Sequence, residues 1–423
     1  MKIALLAGTQ SGCGKTTIML ALLQYLKKHN HRITAFKAGP DFLDPMWHQL
    51  ITGRVSYNLD TRMVGLEQSR LIINKQHKQT DLALIEGVMG LFDGRTGVGL
   101  DGSSASLAKG LDCPVILVVN AKGISGSIVP LVSGYCDYAQ KMGVTISGII
   151  ANQVGSSHHA GLLKNFLQDY NMPPLLAWME KEVSALPERH LGLVMPEEVE
   201  APDFQSSFHV ESQALSAAFT DWIAADETFF NQPKLLSGKK IAIAKDAACC
   251  FIYPANIDWL CEQGAEIQYF SVVNGDAVPQ DADAVWLPGG YPELYAQQLS
   301  VSSSWTSLNQ FIQAGYPVLA ECGGSMLLGK QLIDHDGTAW SMAATLPYSS
   351  KMQGKLASLG YREEASGMKG HEFHYSVREC EADLQACFDC SRGDRGIRYK
   401  NLRVSYIHWY FSSAPDVMAT WLA

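Results

Sequence analysis

The sequence is poor in charge and has no long hydrophobic run. Charged residues make up 18% of its 423 positions and hydrophobic residues 47%, a balance that suits packed domains and leaves little room for a disordered tail. No uninterrupted apolar segment is long enough to span a bilayer, so no membrane association is expected and the cytoplasm is the default compartment. The chain is also short of basic residues. Its 33 Lys and Arg face 42 Asp and Glu, and the net charge of −9 argues against a general nucleic-acid binder, which needs a basic face. Disulfide spacing is lacking: ten cysteines are scattered without a repeating interval, so most are expected to be reduced core residues. Cys387 and Cys390 have CxxC spacing with Cys380 nearby, but no fourth ligand stands at a zinc-ribbon distance. Internal repeats and low-complexity tracts are absent. The opening "MKIALLAG" pairs a Lys with an apolar run too short for a signal peptide, and is expected to stay and fold.

What is present alternates. "KIALLAG", "RITAFKAG", "LALIEGV", "PVILVVNAKG" and "VTISGIIANQV" are β-rich runs separated by helix-like ones, the pattern of a parallel α/β sheet with both faces covered. The helix from Thr16 is expected to end in "LKKHN", where cationic side chains and Asn30 suit a C-terminus. The pattern decays over residues 201–237, read as a linker. A second α/β series then begins with "KIAIAKD" and continues through "AEIQYFSV", "DAVWLPGG", "YPVLAECGG" and "RVSYIHWYF". The expected organisation is therefore a domain over residues 1–200, the linker, and a domain over 238–423.

"GTQSGCGKTT", Gly8 to Thr17, lies between a strand-like run and a helix-like one, the context a phosphate-binding loop requires. Amides around Gly12 and Gly14 would cradle ATP phosphates, with Lys15 neutralising them, Thr16 holding Mg2+ and Thr17 completing the turn. The match is not strict, since the usual first Gly position holds Thr9. "LALIEG" brings Glu86 to a strand end, suited to a magnesium-holding carboxylate. "FKAGPDFLDPMWH" adds Lys37, Asp41, Asp44 and His48 just past another strand. Such an edge is where α/β proteins bind ligands. Lys37 suits an anionic phosphate or carboxylate, and Asp41 suits the metal shell. Cations and carboxylates beside a phosphate loop serve phosphoryl transfer to an anionic acceptor.

In the second half, "YPVLAECGG" sets Cys322 between a buried strand and a Gly-Gly turn leading into "SMLLGKQL", the strand, sharp turn and helix of a nucleophile elbow. The bend exposes the sulfur, and the helix N-terminus favours thiolate. The amide of Gly323 and that of Gly290, in "LPGGYPE", would form an oxyanion hole. A base is needed, and the candidates are His371 and His374 in "GHEFHYS" and His408 in "VSYIHWYF". The place of His408 after a late β-rich run favours it; the other two then contact substrate or cap a strand.

Within phosphate-loop proteins the N-terminal motif looks like the branch containing dethiobiotin synthetase and the MinD and ParA ATPases, although Gln10 stands where the switch ATPases carry a signature Lys. With "SGCGKTT", "KAGPDFLDP", "NLD" (Asn58 to Asp60), "EGVMGLFDG", "LPERHLGL" (Leu186 to Leu193), "LPGGYPEL", "AECGG" and "GHEFHYS" in order, the whole chain resembles the cobyrinic acid a,c-diamide synthase family. That resemblance implies a dethiobiotin synthetase-like phosphate-loop domain followed by a class I glutamine amidotransferase domain. It implies glutamine attack by Cys322 with His408 as base, release of ammonia, and ATP-dependent activation of two carboxylates of a corrin-ring precursor, the c side chain first. It further implies adenine contact by Asn152 and places Asn58, Asp60, Lys37, Asp44, His371 and His374 among the substrate candidates, with a homodimer as the conceivable assembly. Three departures from the family stand out. Tyr410 occupies the position two after His408 where many class I enzymes carry Glu, "LLAWMEKEVSA" replaces the usual approach to Leu186, and Gln153 stands where relatives often have Arg. Other acceptors within reach of the same motifs are hydrogenobyrinate and nickel sirohydrochlorin; a non-catalytic ATPase switch is the competing class.

Overall fold

Strand β1 (Lys2–Gly8) is buried at every position after its first, as expected of an apolar run covered on both faces. The computed structural model describes residues 1–94, 100–181, 188–189, 192–224 and 234–423, which fall into two units, Met1–Thr228 and Phe229–Ala423. In the first, β1 is followed by α1 (Lys15–Lys28), β2 (Ile33–Ala38), α2 (Leu43–Thr52), β3 (Tyr57–Leu59), α3 (Leu66–Gln76) and β4 (Leu82–Gly90). Then come α4 (Ser104–Leu111), β5 (Val115–Asn120), α5 (Ile128–Met142), β6 (Ile146–Val154), α6 (Ser157–Asp169) and β7 (Leu175–Glu180). The strands lie in the order β7-β6-β5-β1-β4-β2-β3 and all run parallel. Chain progression reverses on either side of β1, which opens a crevice at the carboxyl end of that strand. The phosphate loop leaves β1 at this point. Helix α1 packs Ile18 to Leu23 and Leu26 into the core and ends on Lys27 and Lys28, cations set against the negative end of the helix dipole.

The stretch expected to link the domains is partly woven into the first sheet. Phe208–Val210 pairs antiparallel with β7, and Thr220–Asp221 pairs antiparallel with β1. Phe204, Phe208, Leu215 and Phe219 enter the same core, and the Trp222 indole donates to Asn74 Oδ1 at 2.8 Å. Strands this short carry no readable period, which is why the stretch reads as irregular.

The second unit contains five parallel strands in the order Glu266–Phe270, Lys240–Ala244, Ala284–Leu287, Val318–Glu321 and Leu402–Ser405, with Ile397–Tyr399 antiparallel at the edge. "RVSYIHWYF" is not one strand. Leu402–Ser405 stays in this sheet, whereas Ile407–Tyr410 crosses to an antiparallel sheet with Lys369–His374 and Ser358–Glu363. The break falls at Tyr406, whose N–H donates to Asp394 Oδ2 at 2.7 Å, while the Ile407 N–H donates to Ser405 Oγ at 3.2 Å. Asp394 also binds both terminal nitrogens of Arg378, at 3.3 and 3.1 Å. The guanidinium lies over the rings of Tyr406 and Tyr348, 4.7 and 5.2 Å from their centroids. None of the described helices is long and apolar enough to cross a membrane.

Removing one member of a buried ion pair strands the other charge. Asp394→Ala is therefore expected to destabilise the second unit by about 3–5 kcal/mol, read as a lowered midpoint in urea denaturation; a midpoint within error of the parent would show that Arg378 finds other compensation.

Candidate functional site

At the crevice of the first unit, the loop turns through Gly12 (φ 75°) and Gly14 (φ 90°) before Lys15 opens α1. Gly14 is constrained twice. Its φ lies in the left-handed region, and a Cβ there would stand 2.0 Å from Asn152 Nδ2. Asn152, on β6, donates that nitrogen to Cys13 O at 3.0 Å, and its Oδ1 accepts the Gln153 N–H at 2.9 Å. The structure thus sets Asn152 beneath the loop as a brace. Thr16 and Thr17 lie in the first turn of α1, and Thr16 Oγ1 donates to Glu86 Oε1 at 2.7 Å.

Glu86 is fully buried on β4, in register with Lys37 on β2, which is in register with Asn58 on β3. Lys37 Nζ lies 3.3 Å from Glu86 Oε1 and forms an ion pair with Asp44. On the other carboxylate oxygen, His48 Nε2 donates at 2.8 Å, and its Nδ1 meets Ser56 Oγ at 3.0 Å. Burial pushes Glu86 up, but Lys37, His48 and Thr16 outweigh it and hold the carboxyl well below the usual range. Burial likewise pulls the Lys37 ammonium down, and Asp44, Glu86 and Asp41 override it upward. Asp41 caps α2 by accepting from the N–H groups of Leu43 and Asp44 at 2.9 and 3.1 Å. Burial and the charge of Asp44 push it up to about 7. Burial lowers the Lys15 ammonium. His48, expected in this cluster without an assigned role, stands four residues after Asp44 on α2 and is here a hydrogen-bond partner of Glu86.

Asn58 and Asp60 are tied down by one end each. Asn58 Nδ2 donates to Gly39 O and Asp41 O at 2.9 and 2.8 Å, so its Oδ1 points elsewhere, buried and with no partner among the described residues. Asp60 Oδ1 accepts three backbone N–H groups, from Arg62, Met63 and Val64, while Oδ2 is buried and unpartnered among the described residues.

In the second unit Cys322 ends the strand Val318–Glu321 with φ 45° and ψ −112°, a bend that a non-glycine residue adopts only under constraint. Its N–H donates to Ser405 O at 2.8 Å, and its carbonyl accepts the Ser325 N–H and hydroxyl at 3.0 and 2.6 Å. Gly289 is the contact point between nucleophile and base candidates. A Cβ there would stand 2.2 Å from His408 Cε1 and 3.2 Å from Cys322 Cβ. A Cβ on Gly323 would lie 2.9 Å from the Gly290 nitrogen, so the amides of both oxyanion candidates sit beside Cys322.

His408 faces His371 across the antiparallel pair, their rings stacked at 4.9 Å and 15°. Behind it, His371 Nδ1 meets the Tyr253 hydroxyl at 2.7 Å. His374 is held apart, with Nε2 on Glu372 Oε1 at 2.9 Å, Nδ1 on Ser376 O at 2.7 Å, and its ring stacked on Tyr406 at 3.8 Å. Burial drives the Cys322 thiol well above its ordinary value, against the pull of the Gly323 N–H, and the charges of Glu293, Glu321 and Glu372 push the same way. Burial also drives His408 well below its ordinary value, with His371 and His374 adding to it. Both shifts favour the neutral thiol and the neutral imidazole. The thiolate expected from a helix N-terminus is not favoured, because the helix after Cys322 is the single turn Gly323–Met326. Cys387 and Cys390 are free thiols, and among the described residues no group of three His, Cys, Asp or Glu side chains is placed to hold a metal.

Residues 4–194 match the CobQ/CobB/MinD/ParA nucleotide binding domain, and residues 240–416 match the CobB/CobQ-like glutamine amidotransferase domain. The chain is 38% identical to the cobyrinate a,c-diamide synthase of Herminiimonas arsenicoxydans, over 99% of this chain and 96% of the relative. It is 38% identical to the synthase of that name from Salmonella typhimurium, over 99% and 97%. A hydrogenobyrinate a,c-diamide synthase from Pseudomonas aeruginosa is 35% identical over 99% and 97%. Half of the stretch Leu186 to Leu193, and the end of "LLAWMEKEVSA" before it, lie outside the described residues.

Sequence reasoning missed Glu321, which is buried and accepts the Trp409 N–H on Oε1 at 3.0 Å and the Trp286 indole N–H on Oε2 at 3.1 Å. Burial pushes it up to about 8. The folded state therefore keeps a proton that the unfolded chain releases near pH ~4.3. The associated stability is full below that pH and is lost as pH rises toward about 8. Glu321→Gln is expected to flatten the fall in melting temperature over this window, and an unchanged slope would remove Glu321 as its source.

Proposed function

Since the chain belongs to the cobyrinate a,c-diamide synthase family, we propose that it amidates the a and c carboxylates of a corrin-ring precursor, with ATP as energy source and glutamine as nitrogen donor. The observation that carries the amidotransferase half is the packing of Cys322 and His408 against the same Gly289. With thiol and imidazole both neutral, His408 takes the thiol proton as Sγ attacks the glutamine carboxamide carbon. The amides of Gly290 and Gly323 receive the developing oxyanion. His408 then returns the proton to the departing ammonia, and water cleaves the thioester to glutamate and free thiol.

In the first unit a substrate carboxylate oxygen attacks the γ-phosphorus of ATP, ADP leaves, and ammonia displaces phosphate from the acyl phosphate to give the carboxamide. Amides around Gly12 and Gly14, with Lys15 and Thr17, bind the phosphates, and Asn152 steadies the loop. Lys37 offsets the negative charge that carboxylate and phosphate bring together. Thr16, Glu86 and Asp41 offer hard oxygen donors and would hold Mg2+, which would supply positive charge against the phosphates. The buried, unpartnered oxygens of Asn58 and Asp60 are left to contact the acceptor, and Asp44 holds Lys37 in place. Hydrogenobyrinate is a second acceptor to weigh, because relatives at 35% and 37% identity carry that name.

The test is mass spectrometry of products after incubating the protein with ATP, magnesium and glutamine, with cobyrinic acid, hydrogenobyrinic acid and nickel sirohydrochlorin offered separately. A diamide of a corrin acid is expected, and no amide from any acceptor would overturn the reading. Cys322→Ser is expected to lower glutamine-dependent synthesis by about 10³-fold or more while sparing synthesis from ammonium salts, whereas Lys15→Ala loses both. Equal loss of the ammonium-driven rate in the two variants would contradict separable chemistries.

A further inference from the structure

One buried side chain joins the residue before the nucleophile to the residue after the base. Glu321 closes the strand Val318–Glu321 immediately ahead of Cys322, and its Oε1 accepts the backbone N–H of Trp409, next to His408, at 3.0 Å. Its Oε2 accepts the Trp286 indole N–H at 3.1 Å. Trp286 stands on the adjoining strand Ala284–Leu287, in register with Leu319 and three residues ahead of Gly289. A single carboxyl thus reaches the chain segments that carry Cys322, His408 and the glycine turn packed against both.

These ties lie where the main chains part. Pairing of Val318–Glu321 with Leu402–Ser405 ends at Glu321 and Ser405, with the Cys322 N–H on Ser405 O at 2.8 Å. Beyond that point the chain crosses to the other sheet, where Ile407–Tyr410 is an edge strand beside Lys369–His374. Side chains take over: the Trp409 N–H goes to Glu321, and the Trp409 carbonyl accepts from Nδ2 of the buried Asn256 at 2.8 Å. There is little slack between base and nucleophile, since a Cβ on Gly289 would lie 2.2 Å from His408 Cε1 and 3.2 Å from Cys322 Cβ. A small slide of the His408 strand therefore changes how the imidazole meets the sulfur.

We propose that Glu321 is a positioning residue for the glutaminase reaction, holding the Trp409 N–H and the Trp286 indole together so that His408 and the Gly289 turn stay set against Cys322. The assignment rests on the roles given above to Cys322 and His408. With an N–H on each oxygen, the carboxyl acts through these neighbours and not on the substrate. The residue type follows from that task. A carboxyl can accept on both oxygens, whereas a carboxamide of the same shape has one oxygen and must turn its NH2 toward the other N–H.

Two rates would be measured on the full-length protein: ammonia release from glutamine, and alkylation of Cys322 by iodoacetamide, located by mass spectrometry of peptides. Glu321→Met removes both acceptors at similar length. It is expected to lower kcat by about 10- to 100-fold, the scale of a sub-ångström to ångström misplacement, with the KM for glutamine little changed. Alkylation, which needs the Cys322 and His408 pair but no glutamine, is expected to slow by about tenfold. Glu321→Gln keeps one acceptor and recovers part of both rates. Urea denaturation reports folding, and if Glu321→Met does not fold, a fall in both rates in Glu321→Gln decides the matter. A folded variant with parental kcat and alkylation rate, even at a lowered urea midpoint, would confine Glu321 to stability and overturn the assignment, as would a raised KM at unchanged kcat. Failure of the unsubstituted protein to release any ammonia from glutamine would instead overturn the amidotransferase reading, and this assignment with it.

Discussion

Each unit of this protein holds on a buried parallel strand a carboxylate that water does not reach, in mid-strand at Glu86 and at the strand end at Glu321, and the donors that carboxylate collects organise the site around it. Glu86, at 0% exposure, draws Thr16 from the phosphate loop, Lys37 from the neighbouring strand and His48 from the helix beyond. Glu321, at 1%, draws only neutral donors, the Trp286 indole and the Trp409 backbone. An isolated buried charge costs several kcal/mol even after relaxation. Glu86 meets that cost with Lys37 and stays ionised, whereas Glu321 has no cation and its pKa climbs to about 8.

The two electrostatic settings match two kinds of chemistry. Phosphoryl transfer brings anions together, so a site of fixed charges suits it: Lys37 is held charged by the carboxylates around it and does not have to be recruited when substrate arrives. Attack on a neutral carboxamide asks for something else. A thiolate already stabilised by positive charge is a weaker nucleophile than one formed at the moment of attack. Burial keeps Cys322 as thiol and His408 as free imidazole, so that proton and sulfur move together.

Strands and loops were readable where they were long and apolar or carried a motif. The first five β-rich runs became strands of one parallel sheet, and the phosphate loop and the bend at Cys322 stand where their glycines put them. Illegible were the features made by distant residues. Nothing in "RVSYIHWYF" announces a change of sheet at Tyr406, because the cause is Asp394, a residue twelve positions earlier that accepts the Tyr406 N–H. Nor does local pattern show that His48 belongs with Glu86, 38 residues on. The charge of the Cys322 thiol is a related case, since burial opposes the thiolate expected there. A motif specifies the bend, but the length of the following helix and the depth of burial determine the charge.

The absence of a Glu two residues after His408 is then less of a deficit than it looks. Such a carboxylate orients an imidazole and stabilises the imidazolium that forms. Orientation here comes from packing, with Gly289 against the ring edge, His371 stacked behind it and the next backbone N–H fastened to Glu321. Stabilisation of the imidazolium is weak, since His371 is itself pulled down to about 3 by burial and carries no charge of either sign. A base held this way returns its proton readily. Ammonia departs only once it has received that proton, so a poorly stabilised imidazolium favours the leaving-group step at the expense of the first attack.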